Sequence, residues 1–242
     1  MKRAERQRLK QNDLGELTRQ VQEAFTARQR DLAWIAGVVL VVGAAALGYW
    51  AWHTREQQGA QKLLADAMVV AEARIGPPAA ATGATGLTFP TERERAQAAL
   101  TKFKAAADAY PTSDAGLFAR YQEASTQVVL GNPAEAAKTY QVVIDGAGNR
   151  LIGQTARLGL AAAHARGGQF DQAITTYKEL AQRKDGRLPI DGILMELGRV
   201  YRDAGRAGEA QQTFNRLIEE FPDSPFNADA KRELDALKKA AA

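Results

Sequence analysis

The sequence predicts an all-α protein: one N-terminal transmembrane helix followed by an α-solenoid of helical hairpins. Three observations carry this expectation. Ala99, Ala136, Ala173 and Ala210 stand 37 residues apart, and each is followed four residues later by an aromatic, Phe103, Tyr140, Tyr177 or Phe214. A fixed period of this length marks stacked units that bury their apolar faces only against neighbours. Leu32 to Trp52 is an apolar run without a charged residue, and beyond Thr91 helix-start and helix-stop residues alternate regularly.

Residues 1–31 read as a basic cytoplasmic tail. Eight Lys and Arg residues face five Asp and Glu there, so the tail holds +3 of the chain's formal charge of +4. The near-neutral remainder lacks the basic footprint that nucleic acid demands, so no nucleic-acid partner is expected. Leu14, Leu17, Val21 and Phe25 recur at helical spacing behind an Asp13/Glu16 capping pattern, which predicts a short amphipathic helix. That helix could lie on a membrane surface or against a partner, or simply extend the anchor.

Residues 32–52 read as a transmembrane signal anchor. At about 1.5 Å per residue the run reaches roughly 30 Å, the depth of a bilayer's hydrocarbon core. Trp34 at one end and Tyr49, Trp50 and Trp52 at the other occupy the headgroup level that amphipathic rings prefer, and serve as membrane anchors. A cleaved signal peptide would have a shorter polar lead and a small-residue cleavage site. Arg28 and Arg30 flank the entry, whereas the exit side offers only Arg55 and Lys62 nearby. The basic bias therefore predicts a cytoplasmic N-terminus and repeats beyond the bacterial inner membrane, in the periplasm.

Residues 53–90 read as a membrane-proximal helix and a Pro/Gly/Ala-rich loop. Ala60, Leu63, Leu64, Ala67, Val70 and Ala71 keep helical periodicity, so the membrane helix is expected to run on into this segment, to about residue 75. Gly76 to Pro90 then breaks it with prolines and glycines. A connector and a flexible binding loop are both compatible with that composition.

Residues 91–242 read as the repeat domain with a C-terminal capping helix. Thr91 with Glu94, Asn132-Pro133 with Glu135, and Ser224-Pro225 are helix-start devices, while Gly131, Gly167-Gly168 and Gly205 separate helices within units. Together they predict helices at 91–109, 114–130, 133–145, 150–166, 170–183, 190–204, 207–220 and 225–240.

The last unit closely resembles a tetratricopeptide repeat. Leu197-Gly198, Tyr201, Gly205, Ala210, Phe214, Leu217 and Pro222 all stand at that family's spacing. Ala161, Gly168, Ala173, Tyr177 and Leu180 fit one period earlier, and Ala124, Gly131, Ala136, Tyr140 and Val143 one before that; Ala99, Phe103, Ala106 and Pro111 resemble the second helix of a degenerate first unit. Small residues allow close helix approach and the aromatics fill the gap to the next unit, so the ladder is read as packing. The period exceeds the usual 34 by three residues, and Arg120, Arg157 and Leu194 stand where an aromatic is expected. Longer loops between repeats, such as 184–189, are expected to absorb the excess.

No catalytic constellation emerges. With His53 and His164 as the only histidines and no cysteine, neither a histidine triad nor a zinc site is supported. The expectation is a non-enzyme with no cofactor, no metal and no small-molecule substrate. Carrying the tetratricopeptide register across, the concave face would contain Phe118, Tyr121, Leu158, Arg166, Met195, Arg199 and Arg202, a candidate peptide-binding groove. The alternative is that the membrane-proximal helix or another segment of the chain fills the groove. A basic tail, one span and degenerate hairpins are similar to the YfgM family of ancillary SecYEG translocon subunits, with related repeats in the CpoB division coordinator. That resemblance implies a periplasmic scaffold beside the SecYEG translocon and a periplasmic chaperone. A structural subunit of another envelope assembly, in secretion, outer-membrane biogenesis or cell division, is the alternative.

Overall fold

The computed structural model describes residues 29–77, 86–183 and 187–241. The amphipathic helix expected in the tail lies outside them. Among the described residues there are nine helices and one pair of two-residue strands. The chain divides after Arg55 into two units.

The first unit contains the beginning of α1 (Gln29–Ala71). This helix is long and apolar enough to cross a membrane. Trp34, Leu40, Val41 and Leu47 are each more than two-thirds exposed, as an all-round apolar helix requires of its surroundings rather than of a protein core. The four expected anchors are also exposed, and Tyr49 stacks on His53 with ring centroids 5.9 Å apart.

The second unit begins inside the same helix. α1 continues unbroken to Ala71, four residues short of the expected end, because Gly76, Pro77 and Pro78 ahead disfavour helical backbone. Across the last residues of the expected helix and the stretch expected to be plain loop, the chain forms a small parallel ladder: β1 (Arg74–Ile75) pairs with β2 (Thr88–Phe89). The Gly76 amide donates to the Phe89 carbonyl at 2.9 Å, closing the base of the insertion.

α2 (Glu92–Ala109) starts at Thr91, whose hydroxyl accepts from the Glu94 amide at 3.2 Å. Ala67 on α1 is fully buried in one cluster with Ala99, Phe103 and Ala106 of α2 and Ala119 of α3 (Asp114–Val129). Gly59 meets α2's end, where an added Cβ would lie 2.9 Å from Tyr110 Cζ. The end of α1 thus packs as the first helix of a hairpin whose second helix is α2. Hairpin packing therefore begins before Thr91, with the strand ladder inserted where later units have a short turn.

Three further hairpins follow, the first formed by α3 with α4 (Pro133–Ala147), the second by α5 (Leu151–Arg166) with α6 (Phe170–Gln182), and the third by α7 (Ile190–Asp203) with α8 (Ala207–Glu220). The turns α3–α4, α5–α6 and α7–α8 are built alike. Gly131, Gly168 and Gly205 take φ of +83°, +74° and +74°, the left-handed region that favours glycine. In each turn the next residue donates back across the helix end: Asn132 to Gln127, Gln169 to His164, and Arg206 to Tyr201, at 2.8–2.9 Å. These bonds satisfy the orphaned terminal carbonyls. They also hold the backbone of Asn132, whose side chain makes no cap bond, contrary to expectation; Pro133 alone supplies the start signal.

The three excess residues per period are not always in loops. α4 extends through Ala147 and turns at Gly148, φ +59°, before α5 starts, so there the helix itself absorbs them. Between α6 and α7 a longer connection does. The capping helix α9 (Asn227–Ala241) starts two residues later than predicted, because Ser224 directs its hydroxyl to Asp191 and accepts from the Phe226 amide.

The ladder is the core. Phe103, Tyr140, Tyr177 and Phe214 are at most 4% exposed, and the four alanines at most 2%. Burying one such ring contributes on the order of 2–3 kcal/mol. Where Arg120 replaces an aromatic, it bonds Asp108 at 2.5 Å and the buried Glu123 at 2.7 Å. Burial opposes its charge, but these two carboxylates outweigh that and raise its pKa.

Candidate protein-binding groove

The first helices of the hairpins, α3, α5 and α7, present equivalent stripes to one side, because residues three or four apart share a helix face. On α5 the stripe is Thr155, Leu158, Gly159, Ala162 and Arg166. With Tyr121, Ser125, Val128 and Val129 of α3 and Gly192, Ile193 and Glu196 of α7 it lines a groove of about 520 Å³. Tyr140 and Tyr177 form part of its floor, and Phe226 closes the α9 side.

Of the seven residues expected in the groove, Tyr121, Leu158 and Arg166 line it. Phe118 sits beside them, 36% exposed, its ring stacked on Tyr121 with centroids 6.2 Å apart. Met195 is corrected: it is fully buried, in one cluster with Ala230, Leu234 and Leu237 of α9, which covers this face of the last hairpin. Arg199 and Arg202 are also engaged by α9. Arg202 bonds Glu233 at 2.5 Å and Asp203 at 2.8 Å, while Arg199 bonds Glu196 at 2.7 Å and lies 3.7 Å from Glu233. The bond to Glu233 is the main reason the Arg202 pKa is raised.

Tyr140 and Tyr177 belong to the ladder, yet both reach the groove. Reading the ladder as packing alone missed this second role. Tyr121 and Tyr140 lie with ring centroids 5.6 Å apart at 59°. Burial is the first cause raising the Tyr140 pKa to about 12, and it also raises those of Tyr121 and Tyr177. All three hydroxyls therefore stay protonated and can donate hydrogen bonds. Arg166, which opposes the shifts of Tyr140 and Tyr177, is close enough for its charge to be felt at both.

Sequence reasoning could have found Thr155, Gly159 and Ala162, which share the helical stripe of Leu158 and Arg166. Their small size concealed them. Gly159 matters because a Cβ there would lie 2.5 Å from Tyr140 Cζ. Phe226 had no such signal: it precedes α9, whose docking the repeat register does not encode.

The profile described as a tetratricopeptide repeat-like domain matches residues 23–239, nearly the whole chain. The chain belongs to this family. Its tetratricopeptide repeats resemble those of a Podosopora anserina structure of nearly identical TPR-like repeats, with a TM-score of 0.54 at 16% identity, covering 62% of this chain and 80% of that one. A tetratricopeptide repeat protein from Parabacteroides merdae gives 0.52 at 15% identity, covering 76% of this chain and 61% of that one. No curated protein matches significantly. At such identities the likeness shows the fold, and a tetratricopeptide array is typically a scaffold for protein–protein interaction.

Proposed function

We propose that this protein is a membrane-anchored scaffold that holds a segment of a partner protein in the groove lined by α3, α5 and α7. The observation that carries this reading is the contrast along one face: α9 engages Met195, Arg199 and Arg202 of the last hairpin, whereas the face of α3 and α5 stays open around Tyr121, Leu158 and Arg166. Aromatic rings with an arginine are the usual anchors of protein interfaces. The groove supplies donors and apolar surface but no nucleophile with an adjacent base, so the reading is non-enzymatic.

The apolar part of α1 is the anchor, and the basic tail keeps the N-terminus in the cytoplasm, so the repeats work in the periplasm of a bacterium. An ancillary role at the SecYEG translocon, passing exported proteins to a periplasmic chaperone, follows from the resemblance to the YfgM family. Photo-crosslinking amino acids at Tyr121 and Leu158, with the exposed Val142 on α4 as control, test it in intact cells. Translocon or chaperone adducts from the groove positions and not from Val142 are expected. Equal adducts from all three positions, or none from the groove, count against the scaffold reading; adducts with another envelope complex replace the translocon by that complex. Protease added to spheroplasts is expected to digest the repeats, and protection would reverse the orientation.

A further inference from the structure

The groove's charge is uneven. Arg166 stands in the last turn of α5, exposed, and forms no ion pair or hydrogen bond among the described residues. One hairpin on the arginines are not free: Arg199 and Arg202 are both held by carboxylates, and Asp203, one period after Arg166, is taken by Arg202. The groove's own carboxylate, Glu196, is already bonded to Arg199. What the groove offers a ligand is therefore one uncompensated cation, tyrosine hydroxyls kept protonated beside it, and an apolar surface from Leu158, Val129 and the Tyr121 ring.

Resting on the reading of this groove as a protein-binding site, we propose that it selects a peptide segment in which a bulky apolar residue adjoins an aspartate or glutamate, with the carboxylate seated on Arg166. An arginine fork matches a carboxylate in geometry, and a charged bond of this kind is roughly twice as strong as a neutral one. The apolar neighbour covers Leu158 and the Tyr121 ring. The acid belongs to an internal side chain rather than a chain end. Val129, one period before Arg166, lines the same groove and is 59% exposed, so the channel continues past the arginine and a bound chain can run on.

The test uses the full chain in detergent micelles and an array of acetylated, amidated nonapeptides. Each centres on Leu or Phe followed by Glu, Gln or Lys, with a fourth set ending in a free carboxylate after Leu or Phe. Glu peptides are expected to bind on the order of tenfold more tightly than their Gln counterparts. Arg166→Gln erases that difference while leaving the apolar requirement and the unfolding temperature in place, and Arg166→Lys keeps part of it. Equal binding of Glu and Gln peptides, an acid preference that survives Arg166→Gln, or a preference for the free carboxylate overturns the selection rule while leaving the groove a binding site. Absence of binding by every peptide overturns both.

Discussion

The open middle of the array and its closed C-terminal end are built on one period, yet equivalent positions meet different fates. Tyr121 and Leu158 face the groove, whereas Met195, one period further, is fully buried under α9. The close approaches differ too, at non-equivalent positions: Gly159 admits Tyr140 from the preceding hairpin, while Gly198 admits Phe214 from its own. Val129, Arg166 and Asp203 form one row, apolar, cationic and acidic, of which the last is paired within the chain. The repeat therefore specifies where a side chain stands, and the neighbouring element decides whether it is core or surface. After the last described hairpin, α9 stands where a further repeat would pack and takes up a stretch of potential binding face.

The largest expected effect breaks the closed end. Phe214 is fully buried in the C-terminal cluster, so Phe214→Ala is expected to cost about 3–5 kcal/mol. Phe118→Ala, at the edge of the open groove, is expected to stay within about 1 kcal/mol of wild type. Denaturant unfolding of the full chain in detergent, followed by tryptophan-independent far-ultraviolet dichroism, measures both. Similar losses would mean that Phe118 is as much a core residue as the ladder.

A finer version compares the two glycines. At Gly198 a Cβ would lie 2.7 Å from Cδ1 and Cζ of Phe214, a ring locked on all sides, so Gly198→Ala is expected to destabilise by about 1–3 kcal/mol. At Gly159 the obstructing ring is Tyr140, which borders open space and can yield. There the helix-propensity gain of alanine, about 0.5–1 kcal/mol, offsets most of the strain. Equal destabilisation by the two substitutions would show that the groove floor is as rigid as the closed core.

Much of this contrast was legible beforehand, and the part that was not has a physical cause. The ladder, the turn glycines and the helix order follow from spacing, since each of Ala136, Gly168 and Phe214 has one conformational or steric requirement that its residue type announces. Groove membership needed information from a neighbour. Nothing local to Met195 or Arg202 tells that α9 folds over them, because Glu233 and Leu237 lie more than thirty residues away. The first hairpin was obscured for a related reason: β1, β2 and the segment between them separate Ala67 from Ala99, so the period is broken although the packing is kept.

The α9 contact offers a smaller test of the closed end. Glu233 is 18% exposed at its side chain and holds both Arg199 and Arg202. Glu233→Gln is expected to cost about 1 kcal/mol at low salt, with the difference shrinking as salt screens the cluster. Hydrogen exchange should rise in α9 and stay unchanged in α3 and α4. A uniform rise across the array would mean that the cap stabilises every repeat rather than its neighbour alone.

The smallest expected effect belongs to the open half and fades with alkali. Tyr140→Phe removes a hydroxyl that interacts with Ser125, at a cost of about 1 kcal/mol near neutrality. Folding raises the Tyr140 pKa to about 12, from about 10 in the unfolded chain. Below pH 10 both states keep the proton. Between pH 10 and 12 the unfolded state releases it while the folded state still holds it, so wild-type stability falls as pH rises through that window. The phenylalanine variant has no such proton to lose at this site. Its deficit against wild type should therefore narrow from pH 10 to 12, and the two unfolding free energies should meet or cross. A constant gap across that window would place the Tyr140 hydroxyl in water rather than in the buried floor of the groove.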